Sequence, residues 1–509
     1  MSYPKKLLRL NPARGIASDT PAHMLGPDFY STGRNVHFRK GIAGRAGGSR
    51  EVYGTLPVDV MHLRNARVGQ TNFWLVFGAD EVHALETSNS DDVTPIAGLQ
   101  SIVQPWQYAS TLLNGVPVFT NGLDAPQFWP GTVVDPFEEL PDWPAATICK
   151  SIAAFKYHLF ALDIDGPAGH FESQILWSDA AEPGTVPALW TPAADNEAGD
   201  AELGDTPGPV FQGVLLRGSL LLYKRSSTYA VDYVGGNEVF SVRPLFSSSG
   251  ALTRHAACDI NGQHFVVTDG DIILTDGTSR RSVGQARMRE FLFAQLDQDN
   301  YENVFTVLHR GKGEVWTCFP ETGHQYCTKA LVYDIANDAL GVRDLDDVTC
   351  AEIGIVNDTA PDESWDADAQ AWDDDNSYWN QANYSLAVES LVLGFDDVAE
   401  MQDTDDNVTR DASIGRYDLT FGESERVKFL RSIHVRSQPG AGSLYVRAGG
   451  RMSPTDTIQW SAERELVEPD QRVNMHVRGR YISVEVRSEG DDAWTIAGLD
   501  LEAEMRGYF

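Results

Sequence analysis

A run of carboxylates among three evenly spaced tryptophans is the densest set of side chains in the sequence that could do chemistry. It comprises Asp366, Asp368, Asp373, Asp374 and Asp375. The Asp366-x-Asp368 start fits a calcium loop, but the sixth position lacks glycine and Ser377 stands at the twelfth, where a bidentate glutamate belongs. Two such carboxylates could serve as the acid and base of a glycosidase, yet the spacing singles out no pair. The pattern favours solvated carboxylates, and we predict no metal site.

Catalytic motifs are missing from the rest of the sequence. None of GxSxG, HExxH or GxxxxGK[ST] occurs. The glycine-rich run Gly41–Gly48 leads into Arg50–Tyr53 and not into a helix, which indicates a structural turn and not a phosphate cradle. The 12 histidines are scattered without metal-ligand spacing, and the five cysteines show no CxxC pair, which predicts buried free thiols. We therefore predict no catalytic residue, no cofactor and no enzyme activity.

Charge is distributed unevenly along the chain. The 73 acidic residues outnumber the 40 Lys and Arg and give a formal net charge of −33, which argues against a surface that grips nucleic acid throughout. Residues 1–50 nevertheless carry nine basic and two acidic side chains. Residues 344–409 carry 19 acidic side chains and no Lys or Arg. A basic start and an acidic late segment are therefore expected to have different roles.

The elements that position these side chains are predicted to be strands. Short apolar runs between about residues 55 and 345 form hairpin-like units, many of them joined by Asn-Gly or Asp-Gly, as at Asn114-Gly115. Units repeated at this spacing are typical of a β-propeller. One helix is predicted near Gln285–Leu296 from the spacing of its apolar residues. No stretch approaches 18 apolar residues, so no membrane-spanning helix is predicted.

The C-terminal region alternates apolar and polar residues strictly, as in Ile482, Val484 and Val486, which predicts a β-sandwich. The predicted fold class is all-β: an irregular β-propeller core with an extended N-terminal arm and a C-terminal β-sandwich. The expected domains are a basic arm over residues 1–54, a propeller over 55–343, an acidic Trp/Asp-rich insertion or nozzle tip over 344–423, and a sandwich over 424–509.

Several short motifs, taken in order, resemble a known family. They are Gly15–Leu25, Tyr30–Gly41, Trp106–Ser110, Val118–Trp129, Ile175–Asp179, Tyr233–Gly236, Gly313–Trp316 and Ala330–Tyr333. Their order is similar to that in tail proteins of short-tailed bacteriophages (podoviruses), namely the tail nozzle or tail hub family, also called tail tubular protein B or packaged-DNA stabilisation protein. The resemblance spans nearly the whole chain and rests on the series of motifs.

The resemblance implies a structural virion protein that forms a homo-hexameric ring below the portal and its adaptor. It also implies contacts with tail fibres or spikes, assembly in the host cytoplasm, and a place in the virion tail. A negative channel would retain the packaged genome and conduct it during ejection without sequence-specific binding, because carboxylates repel phosphates. We expect the acidic cluster Asp366, Asp368, Asp373, Asp374 and Asp375 to face this channel or its tip.

The basic N-terminal region is expected to dock on acidic surfaces of the adaptor, the portal or a neighbouring subunit. The residues assigned to this docking are Arg34, Asn35, Phe38, Arg39, Lys40 and Arg45. A solvated arm without a partner is the plainer alternative. A second class of function also stays open, a propeller tail protein that binds glycans or degrades polysaccharide, which the many tryptophans and the C-terminal sandwich would suit.

Overall fold

The computed structural model describes residues 4–86, 90–236, 238–356, 389–404, 410–437, 444–466, 471–488 and 494–508. Strands dominate these ranges, which confirms the predicted all-β class. The described ranges also hold one α-helix, α1 (Arg289–Gln295), and three 3₁₀ turns at Ala22–Met24, Pro105–Gln107 and Tyr301–Asn303. The helix is shorter than predicted because Ala286 has a φ of 58°, outside the helical region, so helical geometry begins only after it.

Five strands open the chain. They are β1 (Lys5–Leu10), β2 (Thr32–Arg34), β3 (Val36–Arg39), β4 (Ile42–Arg45) and β5 (Gly48–Val52). Of these, only β3 and β4 pair with each other, and even this hairpin joins a larger sheet. The N-terminal region is therefore held by strands that lie much later in the sequence.

Six four-stranded antiparallel sheets follow, each built from four consecutive strands. Their strands are β6 (His62–Val68), β7 (Thr71–Phe77), β8 (Val82–Leu85), β9 (Ser90–Asp92); β10 (Ala109–Leu113), β11 (Val116–Thr120), β12 (Gln127–Phe128), β13 (Glu138–Glu139); β14 (Ile148–Phe155), β15 (His158–Gly166), β16 (Gly169–Trp177), β17 (Gly199–Glu202); β18 (Val210–Leu216), β19 (Ser219–Lys224), β20 (Thr228–Tyr233), β21 (Phe240–Phe246); β22 (Ala257–Asp259), β23 (His264–Thr268), β24 (Asp271–Thr275), β25 (Arg280–Ser282); and β26 (Phe305–His309), β27 (Glu314–Phe319), β28 (Cys327–Asp334), β29 (Ala339–Val348).

The Asn-Gly pair at positions 114 and 115 forms a tight hairpin turn in this region. Asn114 and Gly115 connect β10 to β11 with φ values of 52° and 89°. Two successive positive φ values are what a two-residue type I′ hairpin requires, and asparagine and glycine adopt them at low cost. The register Leu113↔Val116 places the two residues at the tip. This predicted hairpin is confirmed.

A seventh sheet combines both ends of the series. It contains β30 (Cys350–Ile355), β31 (Glu389–Phe395), β32 (Val398–Thr404) and, as its fourth strand, β5 from the N-terminal region. The β5–β32 pairing is antiparallel and places Glu51 opposite Glu400 and Val52 opposite Ala399. Residues some 350 positions apart therefore complete one sheet.

The first strands of the seven sheets contact one another in a cycle. β10 contacts β14, and the series continues through β18, β22, β26 and β30 to β6, which also contacts β11 of the second sheet. Apolar clusters fill the spaces between neighbouring sheets, such as Phe77 with Phe119 and Phe160 with Phe240. We interpret this cyclic arrangement as a seven-bladed β-propeller closed by an N-terminal strand.

Two six-stranded sheets form the remaining unit. Their later strands are β33 (Ala412–Leu419), β34 (Arg426–Ser437), β35 (Leu444–Arg451), β36 (Gln459–Trp460), β37 (Arg464–Leu466), β38 (Arg472–Gly479), β39 (Tyr481–Ser488) and β40 (Thr495–Tyr508). One sheet has the order β3-β4-β40-β34-β38 with β1 also on β40, and the other has the order β2-β33-β39-β35-β36 with β37 also on β35. The sheets face each other through side chains such as Val446, Val477 and Val484.

The N-terminal region therefore differs from the extended arm that the charge pattern suggested. β1 pairs with β40, β2 pairs with β33, and β5 closes the ring. The physical reason is burial, because Leu10, Val36 and Phe38 are at most 3% exposed and fill the core that these sheets share with the ring. An edge strand gains backbone hydrogen bonds and covers apolar side chains when a further strand joins it.

The domain boundaries also differ from those expected. The boundary at residue 343 falls inside β29, the seventh sheet occupies part of the segment assigned to an acidic insertion, and the sandwich begins at Ala412. Residues 366–375, which hold the acidic cluster, lie outside the described residues. None of the helices in the described ranges has the length and apolar character needed to cross a lipid bilayer.

Candidate functional site

A cavity of about 360 Å³ lies where the first strands of the seven sheets converge. Each first strand contributes lining residues, because alternate side chains of these strands point away from the cores between the sheets. The polar part of the lining includes Arg64, Ser110, Gln212, Thr306, Asn303 and Glu352. A concave site that gathers polar groups from several elements is the default place to look for function. We call it the central cavity.

Arg254 anchors one side of the central cavity. Its Nη1 donates to the backbone oxygen of Lys150 at 2.7 Å and its Nη2 donates to Oδ2 of Asp163 at 3.0 Å. The guanidinium also lies 5.4 Å from the ring centroid of Trp106. Asp163 reaches it because the β15–β16 register shifts between Leu162 and Ile164, and Asp163 takes a φ of 57° at this bulge. Arg254 is thus locked in place by backbone geometry.

Two histidines of the lining lie close together in the central cavity. His62 and His255 have ring centroids 6.3 Å apart, and Nε2 of His62 is 2.8 Å from Oγ of Ser110. Burial lowers the pKa of His62 well below its usual range and lowers the pKa of His255 to about 4. Both rings are therefore neutral at pH 7 and act as hydrogen-bonding groups.

Arg64 and Glu352 face each other across neighbouring first strands. Nη1 of Arg64 is 3.6 Å from Oε2 of Glu352, which is an ion-pair distance but longer than a hydrogen bond. Burial raises the pKa of Glu352, and the positive charge of Arg64 opposes this rise. The two side chains therefore attract each other without sharing a hydrogen bond.

The residues assigned to docking do not form one free surface. Nε of Arg34 donates to Oδ2 of Asp344 at 2.6 Å, and Nδ2 of Asn35 donates to the same oxygen at 2.7 Å. Phe38 is 3% exposed and packs beside Gly341, while Arg45 has partners within the chain. These contacts give the residues structural roles, and docking stays a prediction, carried best by the exposed Lys40 at its turn.

Arg39 belongs to a buried ion network between the N-terminal hairpin, the sixth sheet and the seventh sheet. It pairs with Oε1 of Glu314 at 2.6 Å and with Oδ2 of Asp403 at 2.9 Å. Arg343 pairs with Oδ1 of Asp403 at 2.6 Å and lies 4.4 Å from the ring centroid of Trp316. We call Arg39, Arg343, Glu314 and Asp403 the closure network, because they join the elements that complete the ring.

The five cysteines are free thiols, as the sequence predicted, and four of them are buried. Burial raises the pKa of Cys149 and of Cys350 to about 12, and the thiolate is the reactive form. We expect the native protein at pH 8 to react with iodoacetamide only slowly, and the denatured protein to expose five thiols. Burial raises the pKa of Cys258 to about 12 as well, but this thiol alone among the five is partly exposed, so a Cys258→Ser variant is the internal control and should remove most of the native reaction. Rapid alkylation of Cys149 would contradict the packing.

Of the residues that line the central cavity, the family-like motif Trp106–Ser110 includes three, Trp106, Ala109 and Ser110, but no role in a site was predicted for them. Arg64, Arg254, Asn303 and Glu352 stand far apart in the chain and carry no motif, so only the ring brings them together. Among the described residues, no group of three or more His, Cys, Asp or Glu side chains is arranged to hold a metal ion.

Comparisons with known proteins assign neither a family nor a function to this chain. No protein-family model matches the chain, and no curated protein matches it. Among solved structures, a "Putative exported protein" from Bacteroides fragilis is similar at 10% sequence identity and a TM-score of 0.27, over 46% of this chain and 70% of that chain. At that TM-score the likeness carries no argument about fold or function.

Proposed function

We propose that this chain is a structural subunit of a short-tailed phage tail, a nozzle that assembles as a hexameric ring below the portal and adaptor and conducts DNA during ejection. The observation that carries the proposal is the series of family-like motifs. Val118–Trp129 covers the end of β11 and all of β12, Gly313–Trp316 opens β27, and Ala330–Tyr333 lies in β28. These motifs thus lie on the second and third strands of two sheets, the second and the sixth, as expected if they are structural signatures of the repeated unit.

The size of the central cavity decides where DNA would pass. A volume of about 360 Å³ suits a small molecule and cannot admit a double helix. In the proposed assembly the DNA channel therefore lies between copies, and the ring within one subunit is a rigid building block of the channel wall.

The charge of the chain suits such a wall. At −33 per chain, six copies would carry roughly 200 negative charges, which keeps phosphates from adhering. The basic side chains of the N-terminal region do not oppose this, because several are neutralised within the chain, as in the Arg34–Asp344 and Arg39–Glu314 pairs. The electrostatic potential around the subunit is therefore negative overall.

Electron microscopy of the purified full-length chain, alone and mixed with a phage adaptor ring, tests the proposal. We expect six-fold rings with a central opening wider than a DNA duplex, either alone or on the adaptor. A variant with Lys40→Glu should reduce adaptor binding if Lys40 contributes to docking, and Lys156→Glu, at an exposed turn of the third sheet, is the matched control. A monomer under both conditions would contradict the proposed function.

A further inference from the structure

We propose that the solvent side of the sandwich sheet containing β1, β40, β34 and β38 binds the outer edge of the first two ring sheets of a second copy of this chain. The contact rests on the proposed function, which requires copies to associate, and it names the two surfaces that would meet. Opposite charges and exposed apolar side chains on these surfaces carry the inference.

The sandwich sheet turns one side to the core and the other to solvent. In β38 the buried Val473, Met475 and Val477 alternate with exposed residues, and β40 alternates in the same way from Leu499 onward. The strands β1 and β34 flank β40. The side chains of β40 that point away from the core include, in order, Asp500, Glu502 and Glu504. Three carboxylates therefore form a row along the middle of the solvent side.

Each carboxylate of this row is shared by two cations from the strands around it. Glu502 lies 2.7 Å from Nζ of Lys5 and 2.8 Å from Nη2 of Arg472. The other ion pairs join Asp500 to Arg9 and Arg436, and Glu504 to Arg431 and Arg506. Six cations against three carboxylates leave a formal charge of +3 within a chain of −33. We call this surface the basic face.

The first two sheets of the ring carry the opposite charge. Residues 68–149 contain 10 acidic side chains and no Lys or Arg. The outer strands of these sheets are β9 and β13, and the backbone N–H of Phe137 donates to the oxygen of Val93 at 2.8 Å, which brings the two strands together. Both strands expose two carboxylates. We call these four, Asp91, Asp92, Glu138 and Glu139, the acidic rim.

Both surfaces also expose apolar side chains, which protein interfaces combine with their polar contacts. Leu7, which is 55% exposed, stands between Lys5 and Arg9 on β1. Ile96 follows β9 and Val134 precedes β13, and they are 93% and 85% exposed. Each surface therefore offers apolar area beside its charges.

The two surfaces lie on different parts of one subunit. The sandwich contacts the ring through β2 and β3, which lie against β29 of the sixth sheet, whereas the acidic rim belongs to the first and second sheets. A contact between unlike surfaces is head-to-tail, and its repetition closes a ring when the rotation between copies permits. The inferred contact thus provides each subunit with one neighbour on either side.

A protein partner fits the basic face better than a nucleic acid does. Proteins that bind single strands stack bases on exposed aromatic rings. The aromatic ring of this face, Phe429, has the guanidinium of Arg506 at 4.3 Å from its centroid and the ring of His476 stacked at 5.8 Å. Phe429 is therefore already covered, and the charges and Leu7 are what the face offers a partner.

Sedimentation velocity of the full-length chain over a concentration series tests the contact. We expect the parent to associate, and less strongly at high ionic strength, because salt screens exposed charges. Arg9→Glu/Arg472→Glu and, separately, Asp91→Lys/Glu138→Lys should each raise the dissociation constant about a hundredfold, because like charges then face each other. All four changes in one chain should restore association, since the reversed surfaces attract again.

Two further variants control for folding and for net charge. Arg9→Gln/Arg472→Gln introduces no new charge beside the carboxylate row and should weaken association about tenfold. Lys156→Glu/Lys312→Glu changes the net charge as much as the first reversal does, at exposed positions of the third and sixth sheets, and should leave association unchanged. Melting temperatures show that each variant is folded.

Restored association in the fourfold variant supports the contact. Six-fold rings that neither reversal disturbs would overturn it and leave the proposed nozzle function standing. A parent that stays monomeric at every concentration would also overturn it, and rings seen only on the adaptor would then support the nozzle function alone. If Arg9→Glu/Arg472→Glu abolished binding of a DNA fragment and left self-association intact, the basic face would be a nucleic-acid surface and the inferred contact would be wrong.

Discussion

Replacing Asp403 with asparagine is expected to lower the free energy of unfolding by about 3–5 kcal/mol. The Asp403 side chain is 2% exposed and receives the guanidinium groups of both Arg39 and Arg343 at 2.9 and 2.6 Å. Asparagine keeps the shape of the side chain and tolerates the φ of 58° found here. It removes only the charge, so Arg343 loses its carboxylate partner while its side chain stays 5% exposed.

The pH dependence of this contribution has a definite sign. Burial alone would raise the pKa of Asp403, but the charge of Arg343, the neighbouring His309 ring, whose Nε2 is 3.4 Å from Oδ2, and the charge of Arg39 outweigh it and hold the pKa well below its usual range. A lowered folded-state pKa stabilises the protein above the unfolded value of about 4, and this stabilisation is lost as the pH falls through the folded-state pKa. The difference between the parent and Asp403→Asn should therefore shrink in acid.

Urea unfolding at pH 7 and at pH 3, followed by tryptophan fluorescence, measures both effects. Asp396→Asn is the matched control, because Asp396 lies in the same sheet with a positive φ of 43° but is exposed. We expect the control to change stability by less than about 0.5 kcal/mol. If the two variants lowered the free energy of unfolding equally at pH 7, the charge of Asp403 would contribute nothing to stability.

A disulfide between positions 51 and 400 is expected to stabilise the chain by about 5 kcal/mol. Glu51 and Glu400 are opposite each other in the β5–β32 pairing, and residues so paired have Cα atoms close enough for a disulfide. The bond would close a loop of about 350 residues, and the chain-entropy cost that it removes from the unfolded state grows with loop length. It also replaces two like charges that face each other across the strands.

The measurement compares the oxidised and reduced forms of Glu51→Cys/Glu400→Cys in denaturant titrations. The double variant Glu51→Ser/Glu400→Ser is the control, since it removes the charge repulsion without the cross-link. Non-reducing electrophoresis reports whether the bond forms. A pair that does not oxidise, or an oxidised form no more stable than the serine control, would mean that β5 does not close the seventh sheet in this register.

Local chemistry made part of this fold predictable. Asn114-Gly115 specifies its own hairpin, and the alternation around Ile482 specifies a two-faced strand, because both signals lie within a few residues. The β5–β32 pairing has no such signal, since Gly48–Val52 is a short polar stretch whose partner lies some 350 residues away. Net charge misdirected the interpretation of Arg34 and Arg39, because it does not reveal that their counter-ions, Asp344 and Asp403, come from distant strands.

The candidate site was hidden for the same reason. Asn303 precedes the sixth sheet, Arg64 lies in the first, and Arg254 is held by Asp163, whose position depends on a bulge in the third. Each looks ordinary in its own segment. Their common property, a place at the centre of the ring, arises only when all seven first strands meet. A pattern that depends on cyclic closure cannot be read from any window of the sequence.

Closure by the N-terminal strand also determines when the ring can form during translation. β5 is translated about 350 residues before its partner β32. At synthesis rates of about 5–20 residues per second, the early strand waits roughly 20–70 s with its backbone hydrogen bonds unmade. The ring can therefore close only after β32 has been synthesised, and in the meantime the six earlier sheets can assemble one after another on their own local hairpins.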